Sequence, residues 1–194
     1  NGISNSLSLI MSNYMNNKNV ILVEEPSCSI SIKIFKEYGL NIEIIPMDKD
    51  GINLSILEKK VRQYSDIQDS IFLYTIPTFH NPTGITLSKT KREELAKIAN
   101  LYSNFYVLAD EDNQFLNFED HEVNTLADYH PNFISLCSFN KIFSSSIKLG
   151  WIYINTNFDF VNDEISIIEE LSTSALVKSS RGLDILGSLV ANYI

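Results

Sequence analysis

Short apolar runs alternate with segments of helical period along this chain, and that alternation limits the fold more than any other feature. Residues 19–25 (NVILVEE), 41–47 (NIEIIPM), 70–76, 105–109 and 133–137 (FISLC) each read as a strand. Between them Ile30, Ile34 and Tyr38, then Leu54, Leu57 and Val61, then Leu95, Ile98, Ala99 and Tyr102 recur at helical spacing. Pro26 ends the first run and Gly39 closes the helix after it. Pro46 marks an edge or a strand end, and Asp50-Gly51 a turn. Strands and helices that alternate through short connections predict an α/β fold: a three-layer αβα sandwich around a mostly parallel sheet. Leu7, Ile10, Met11 and Tyr14 predict a helix over 5–16 ahead of the first strand. Further helices are expected over 88–103, 158–171 and 181–194, with loop and short helix over 115–132 and a last strand at 151–154. No repeat or linker divides the chain, so 1–194 reads as one domain.

Hydrophobic residues make up 44% of the 194, enough for one sizeable core. A net charge of -9 argues against nucleic acid as a partner, yet leaves room for a local cationic pocket holding one phosphate. The two cysteines, Cys28 and Cys137, offer neither metal spacing nor a disulfide framework, so a reducing compartment, the cytoplasm, is expected. No apolar run reaches membrane-spanning length and no secretory leader is visible. The abrupt opening at Asn1-Gly2, with a helical pattern close behind, reads as a piece of a longer protein.

In parallel sheets ligands sit at the carboxyl ends of the strands, so the residues after each strand are the candidates. The stretch 138–150 (SFNKIFSSSIKLG) joins two apolar runs and carries Lys141. A lysine in a loop between buried strands is expected to lose solvation, which favours the neutral, nucleophilic amine. The ordinary alternative is a lysine snorkelling from a strand end. Ser138 and Lys148 could each hold a phosphate oxygen. After 70–76 comes Pro77-Thr78-Phe79-His80-Asn81-Pro82-Thr83-Gly84, a rigid loop in which Asn81 is the one amide side chain. His80 reads as a packed or turn histidine. After 105–109 come Asp110, Glu111 and Asp112, either an ordinary solvated acidic run or the source of a functional acid, for which Asp110, the first acid beyond the strand, is preferred to Asp112. Gly2, Ile3, Ser4 and Asn5 stand at a helix start, where free N–H groups make either a phosphate seat or an ordinary cap. Lys89, Lys91 and Arg92 read as a solvated face, and His121 and His130 as surface residues.

Asn81, Asp110 and Lys141 follow three different strands and together meet the needs of one cofactor, pyridoxal phosphate. Its aldehyde needs the Lys141 amine. Its pyridine nitrogen stays protonated beside a carboxylate, Asp110. Its phenolic oxygen needs a donor, Asn81. Its phosphate needs N–H groups, hydroxyls and a cation: Gly2, Ile3, Ser4, Asn5, Ser138 and Lys148. The protein positions and polarises, while the cofactor carries the hard chemistry.

These residues also carry a family resemblance. The chain resembles the large domain of fold-type I pyridoxal-phosphate enzymes, the class I/II aminotransferases. It is most similar to the 2-aminoadipate/kynurenine aminotransferase branch and to the aminotransferase-like domain of MocR-type regulators. The matching pieces are Val23-Glu24-Glu25-Pro26, the run from Tyr74 to Gly84, and Ser138-Phe139-Asn140-Lys141 onward to Lys148-Leu149-Gly150. The resemblance implies a transaminase acting on an amino acid and a 2-oxo acid, with Lys141 as the Schiff-base residue and then the general base. It implies a homodimer whose sites borrow residues across the interface. It also implies an N-terminal segment and a C-terminal small domain that 1–194 lacks. Where Cys28 stands the family often has an aromatic residue stacked on the cofactor ring, and where Asn113 stands, a tyrosine donating to the phenolic oxygen. Asn113 keeps a donor; Cys28 cannot stack. Lys148 replaces an arginine, keeping the charge but losing the bidentate fork. Three alternatives stay open: a regulator domain that senses pyridoxal phosphate or an amino acid, a cofactor-free scaffold, and another reaction of the same cofactor such as β-elimination or decarboxylation.

Overall fold

The computed structural model describes residues 2–16, 18–118, 124–142 and 149–154. Seven strands form one sheet: β1 (Asn19–Glu25), β2 (Asn41–Asp48), β3 (Gly51–Ile52), β4 (Ser70–Thr75), β5 (Phe105–Asp110), β6 (Phe133–Ser138) and β7 (Gly150–Ile154). Their order is β3-β2-β1-β4-β5-β6-β7. The five from β2 to β6 run parallel, while β3 and β7 pair antiparallel at the two edges. Among the described residues four α-helices cover the faces: α1 (Gly2–Tyr14), α2 (Ser29–Glu37), α3 (Leu54–Tyr64) and α4 (Lys89–Leu101).

Strand pleating divides the side chains into two cores. Val20, Leu22, Ile71, Leu73 and Val107 pack on one face with Leu57 and Val61 of α3 and Leu95 and Ile98 of α4. Ile21, Val23, Phe72, Tyr74 and Leu108 pack on the other with Leu7, Ile10 and Met11 of α1 and Phe35 of α2. The result is the three-layer sandwich that the sequence predicts. The inner strands are covered on both faces, so they read as unbroken apolar runs. Side-chain caps start two of the helices: Asn53 accepts from Ile56 N on α3, and Ser88 from Lys91 N on α4.

Several expectations are corrected. α1 begins at Gly2, so Gly2 to Asn5 form its first turn instead of preceding it. Beyond the turn at Asp50, Gly51 and Ile52 form β3, a strand too short to leave a periodic signal. Lys91 and Arg92 are not a solvated face. Lys91 reaches back to Asp48 at 2.9 Å and Asp50 at 3.1 Å, and Arg92 is buried. Both lie in the first turn of α4, where segments from the sheet's carboxyl edge offer carboxylates and carbonyl oxygens. His130 is also buried, its ring 5.2 Å from that of Phe133, and burial pushes its pKa down. The helices expected over 158–171 and 181–194, His121 and Lys148 lie outside the described residues. Among the described residues no helix is long and apolar enough to cross a membrane, and no cluster of side chains could hold a metal ion.

Candidate functional site

The carboxyl ends of the parallel strands open, beside the first turn of α1, into a cavity of about 200 Å³. Of the residues expected from sequence, Gly2, Ile3, Ser4, Cys28, Asn81, Asp110, Asn113 and Lys141 line it. They arrive from α1, from the last residue of β5 and from the segments after β1, β4, β5 and β6. Asn5 is exposed and lies outside the lining, and Ser138 is buried at the end of β6.

Asp110 ends β5 on the face shared with α1 and α2. It is buried, and burial pushes its carboxyl up to about 6, against the hydrogen bond from Tyr74. The Tyr74 hydroxyl donates to Asp110 Oδ2 at 2.7 Å, and the Asp112 N–H faces Oδ1 at 3.3 Å. Ser31 Oγ lies 2.8 Å from the Tyr74 oxygen. With the Tyr74 proton directed at Asp110, Ser31 is the donor to Tyr74, so the chain runs Ser31 to Tyr74 to Asp110. Lys141 favours the charged carboxylate, whereas Asp112 opposes it.

The loop bearing Asn81 is held from the opposite face. Arg92 Nη2 donates to Pro77 O at 2.8 Å and Thr78 Oγ1 at 2.9 Å, and its Nε to Leu87 O at 3.0 Å. Glu24, buried at the end of β1, accepts from Thr75 Oγ1 at 2.7 Å and Ile76 N at 3.0 Å. His80 is packed as expected. Its Nε2 lies 3.2 Å from Glu24 Oε2, close enough for an ion pair but off the line of a hydrogen bond. Asn113 Nδ2 donates to Phe79 O at 2.9 Å, tying the loop after β5 to the loop after β4. Asn81 itself is exposed at the rim.

Two glycines let α1 approach the corner between β6 and β7. Gly2 has φ +72°, and a Cβ there would lie 2.9 Å from Asn140 Nδ2. A Cβ on Gly150 would lie 2.8 Å from Cys137 O and 3.0 Å from Gly2 Cα. The first-turn N–H groups of α1 have no partners within the helix. They sit at the cavity with the positive end of the helix dipole, an arrangement that suits an anion.

The chain matches the aspartate amino-transferase family over residues 11–142. It belongs to that family. It is 30% identical over 160 residues to aromatic-amino-acid aminotransferase 1 of Thermococcus litoralis, covering 81% of this chain and 38% of that protein. It is also 30% identical over 153 residues to an uncharacterized HTH-type transcriptional regulator, YisV, of Bacillus subtilis, covering 78% and 31%. The kynurenine aminotransferase of Pyrococcus horikoshii, solved with PMP, kynurenine and its product, superposes with a TM-score of 0.83 at 25% identity, covering 98% of this chain and 45% of that one. The chain thus spans less than half the length of each of these relatives.

Against a pyridoxal phosphate the residues present fit, and they fit the ring end best. Asp110 is a buried acid facing the cavity, suited to a ring cation. At the phosphate end, α1 offers N–H groups, but Ser138 is engaged elsewhere: its hydroxyl donates to Asp112 Oδ1. Cys28 is half-buried at the wall. Lys141 is exposed at the mouth, whereas a lysine between buried strands is expected to be desolvated. The difference follows from its position in the turn beyond β6, past the sheet edge. Sequence reasoning missed the role of Tyr74 and read Asp112 only as a second choice for the place of Asp110. Tyr74 has a signal in hindsight, because it stands one residue before the end of β4 on the same pleat face as Asp110.

Proposed function

We propose that this chain is the cofactor-binding core of a pyridoxal-phosphate-dependent aminotransferase, acting on an amino acid and a 2-oxo acid. The observation that carries the reading is the convergence of Asn81, Asp110 and Lys141 on one cavity from three separate strand ends. When bound, pyridoxal phosphate supplies an aldehyde that captures amino groups and a ring that accepts electrons from the substrate α-carbon. Lys141 would hold the aldehyde end through its amine, and its Nζ would move the α-proton as general base. Asp110 would hold the proton on the ring nitrogen by its charge, and Tyr74 favours the ionised Asp110 by donating to Oδ2. Asn81 would donate to the phenolic oxygen, Asn113 steadies the Asn81 loop through Phe79, and the N–H groups of Gly2, Ile3 and Ser4 would receive the phosphate. A homodimer belongs to the same reading, and Ile30, 62% exposed at the cavity wall, is an apolar side chain it would cover.

The similarity to the Bacillus regulator favours a second reading, a domain that binds the cofactor or an amino acid without turnover. One spectroscopic series separates the two. The protein mixed with pyridoxal phosphate shows a visible band that Lys141→Ala lacks. Adding an amino acid then discharges the band and releases a 2-oxo acid if the protein is a transaminase. A stable band with no 2-oxo acid selects the sensing domain. A band that is absent, or unchanged in Lys141→Ala, overturns both.

A further inference from the structure

β5 and β6 pair in parallel with Asp110 opposite Leu136. The same register carries Asp112, two residues on, opposite Ser138. The contact follows: the Ser138 hydroxyl donates to Asp112 Oδ1, and the Asn140 N–H faces Ser138 Oγ at 3.2 Å. A serine hydroxyl has one proton to donate. With that proton on Asp112, Ser138 can meet another group only as an acceptor. Phosphate oxygens are acceptors too, so Ser138 cannot hold one until its bond to Asp112 breaks. Asp112 also lines the cavity that the first turn of α1 enters, and its negative charge shares that space. An anion drawn by the helix N–H groups is therefore repelled by a carboxylate in the same wall.

We infer that Asp112 sets the phosphate selectivity of this cavity: it holds Ser138 away from the phosphate and lowers affinity for pyridoxal phosphate relative to unphosphorylated pyridoxal. The inference rests on the pyridoxal-phosphate reading and adds a residue that works against it. Asp112→Asn removes the charge and leaves an oxygen that can still accept from Ser138, so it preserves the local structure. Asp112→Ala removes the charge and frees the hydroxyl as well.

Both ligands react with the same lysine, so the visible band reports binding of each. Titration of the unmutated protein, Asp112→Asn and Asp112→Ala with pyridoxal phosphate and, separately, pyridoxal measures the ratio of affinities. In the variants pyridoxal phosphate binds roughly tenfold more tightly and pyridoxal changes by less than about twofold. A ratio unchanged in both variants overturns the inference. So does a ratio that falls, because Asp112 would then be orienting Ser138 toward the phosphate. If neither ligand gives a Lys141-dependent band in any of the three proteins, the cofactor reading fails and the inference falls with it.

Discussion

Asp110 and Glu111 are neighbours in the chain, both buried, and the pleat sends them to opposite faces of the sheet. Asp110 looks into the cavity. Glu111 lies in the packed layer beneath α4, where its Oε1 accepts from Leu126 N at 2.6 Å. Burial pushes its carboxyl up to about 7, with that bond and the nearby Arg92 drawing it down. Both acids keep an unusually high proton affinity for the same reason, desolvation, yet their surroundings give them different work. Asp110 faces space that a cationic ring can occupy. Glu111 faces backbone and the Arg92 scaffold that fixes the Asn81 loop. A shifted acid marks a functional site only when it borders a space where a ligand fits.

The largest way to test this division is to remove the scaffold. Arg92→Ala leaves the carbonyls of Leu87 and Asn124 without the guanidinium donor, removes one of two donors to Pro77 O, and takes away the cation near Glu111. Urea unfolding is expected to show a loss of about 3–5 kcal/mol. A loss under about 1 kcal/mol contradicts the role given to Arg92.

Replacing the acids one at a time separates the faces next. Asp110→Asn is expected to weaken pyridoxal phosphate binding on the order of a hundredfold without lowering the stability of the cofactor-free protein. Glu111→Gln should leave cofactor binding within about twofold. Equal effects on binding would erase the distinction between the faces.

Stability against pH sharpens the same comparison. Each acid binds its proton more readily folded than unfolded: Asp110 at about 6 against 3.8, and Glu111 at about 7 against 4.5. The folded state therefore holds more protons in these windows, and unfolding free energy falls as pH rises through them. The stability concerned is fully present below the unfolded values and lost above the folded ones. Each acid accounts for up to about 3 kcal/mol. The drop in unfolding free energy from pH 4 to pH 8 should shrink in Glu111→Gln with or without cofactor. In the unmutated protein, cofactor should diminish only the part due to Asp110.

The smallest effect belongs to Tyr74→Phe. It removes the donor to Asp110 Oδ2, costs about 1 kcal/mol of stability, and raises the proton affinity of Asp110 further. Cofactor affinity measured at pH 6 should fall severalfold, and less at pH 8, where Asp110 is ionised in either protein. An equal loss at both values would mean that Tyr74 acts through packing alone.

Much of this architecture was legible in the chain. The inner strands announced themselves because both faces are covered, leaving apolar runs bounded by proline, glycine and acids. Asn81, Asp110 and Lys141 could be grouped because parallel strands deliver their carboxyl ends to one edge of a sheet. What the chain hid depends on which strands are neighbours. The Ser138–Asp112 contact needs β5 beside β6 in a particular register, and nothing local to Ser138 records that. Arg92 was misread because a charge in the first turn of α4 normally points to water; here it meets carbonyls supplied by loops distant in sequence. Glu111 looked like part of a solvated acidic run, although strict alternation after Asp110 directs it inward.

The central claim is that Lys141 Nζ reaches the aldehyde of a pyridoxal phosphate lying against Asp110. Incubation with the cofactor, reduction with borohydride, digestion and mass spectrometry test it directly. The account predicts one phosphopyridoxyl group, carried by the peptide that contains Lys141 and displaced by competing cofactor analogues. Labelling spread over surface lysines, or persisting undiminished in Lys141→Ala, contradicts it.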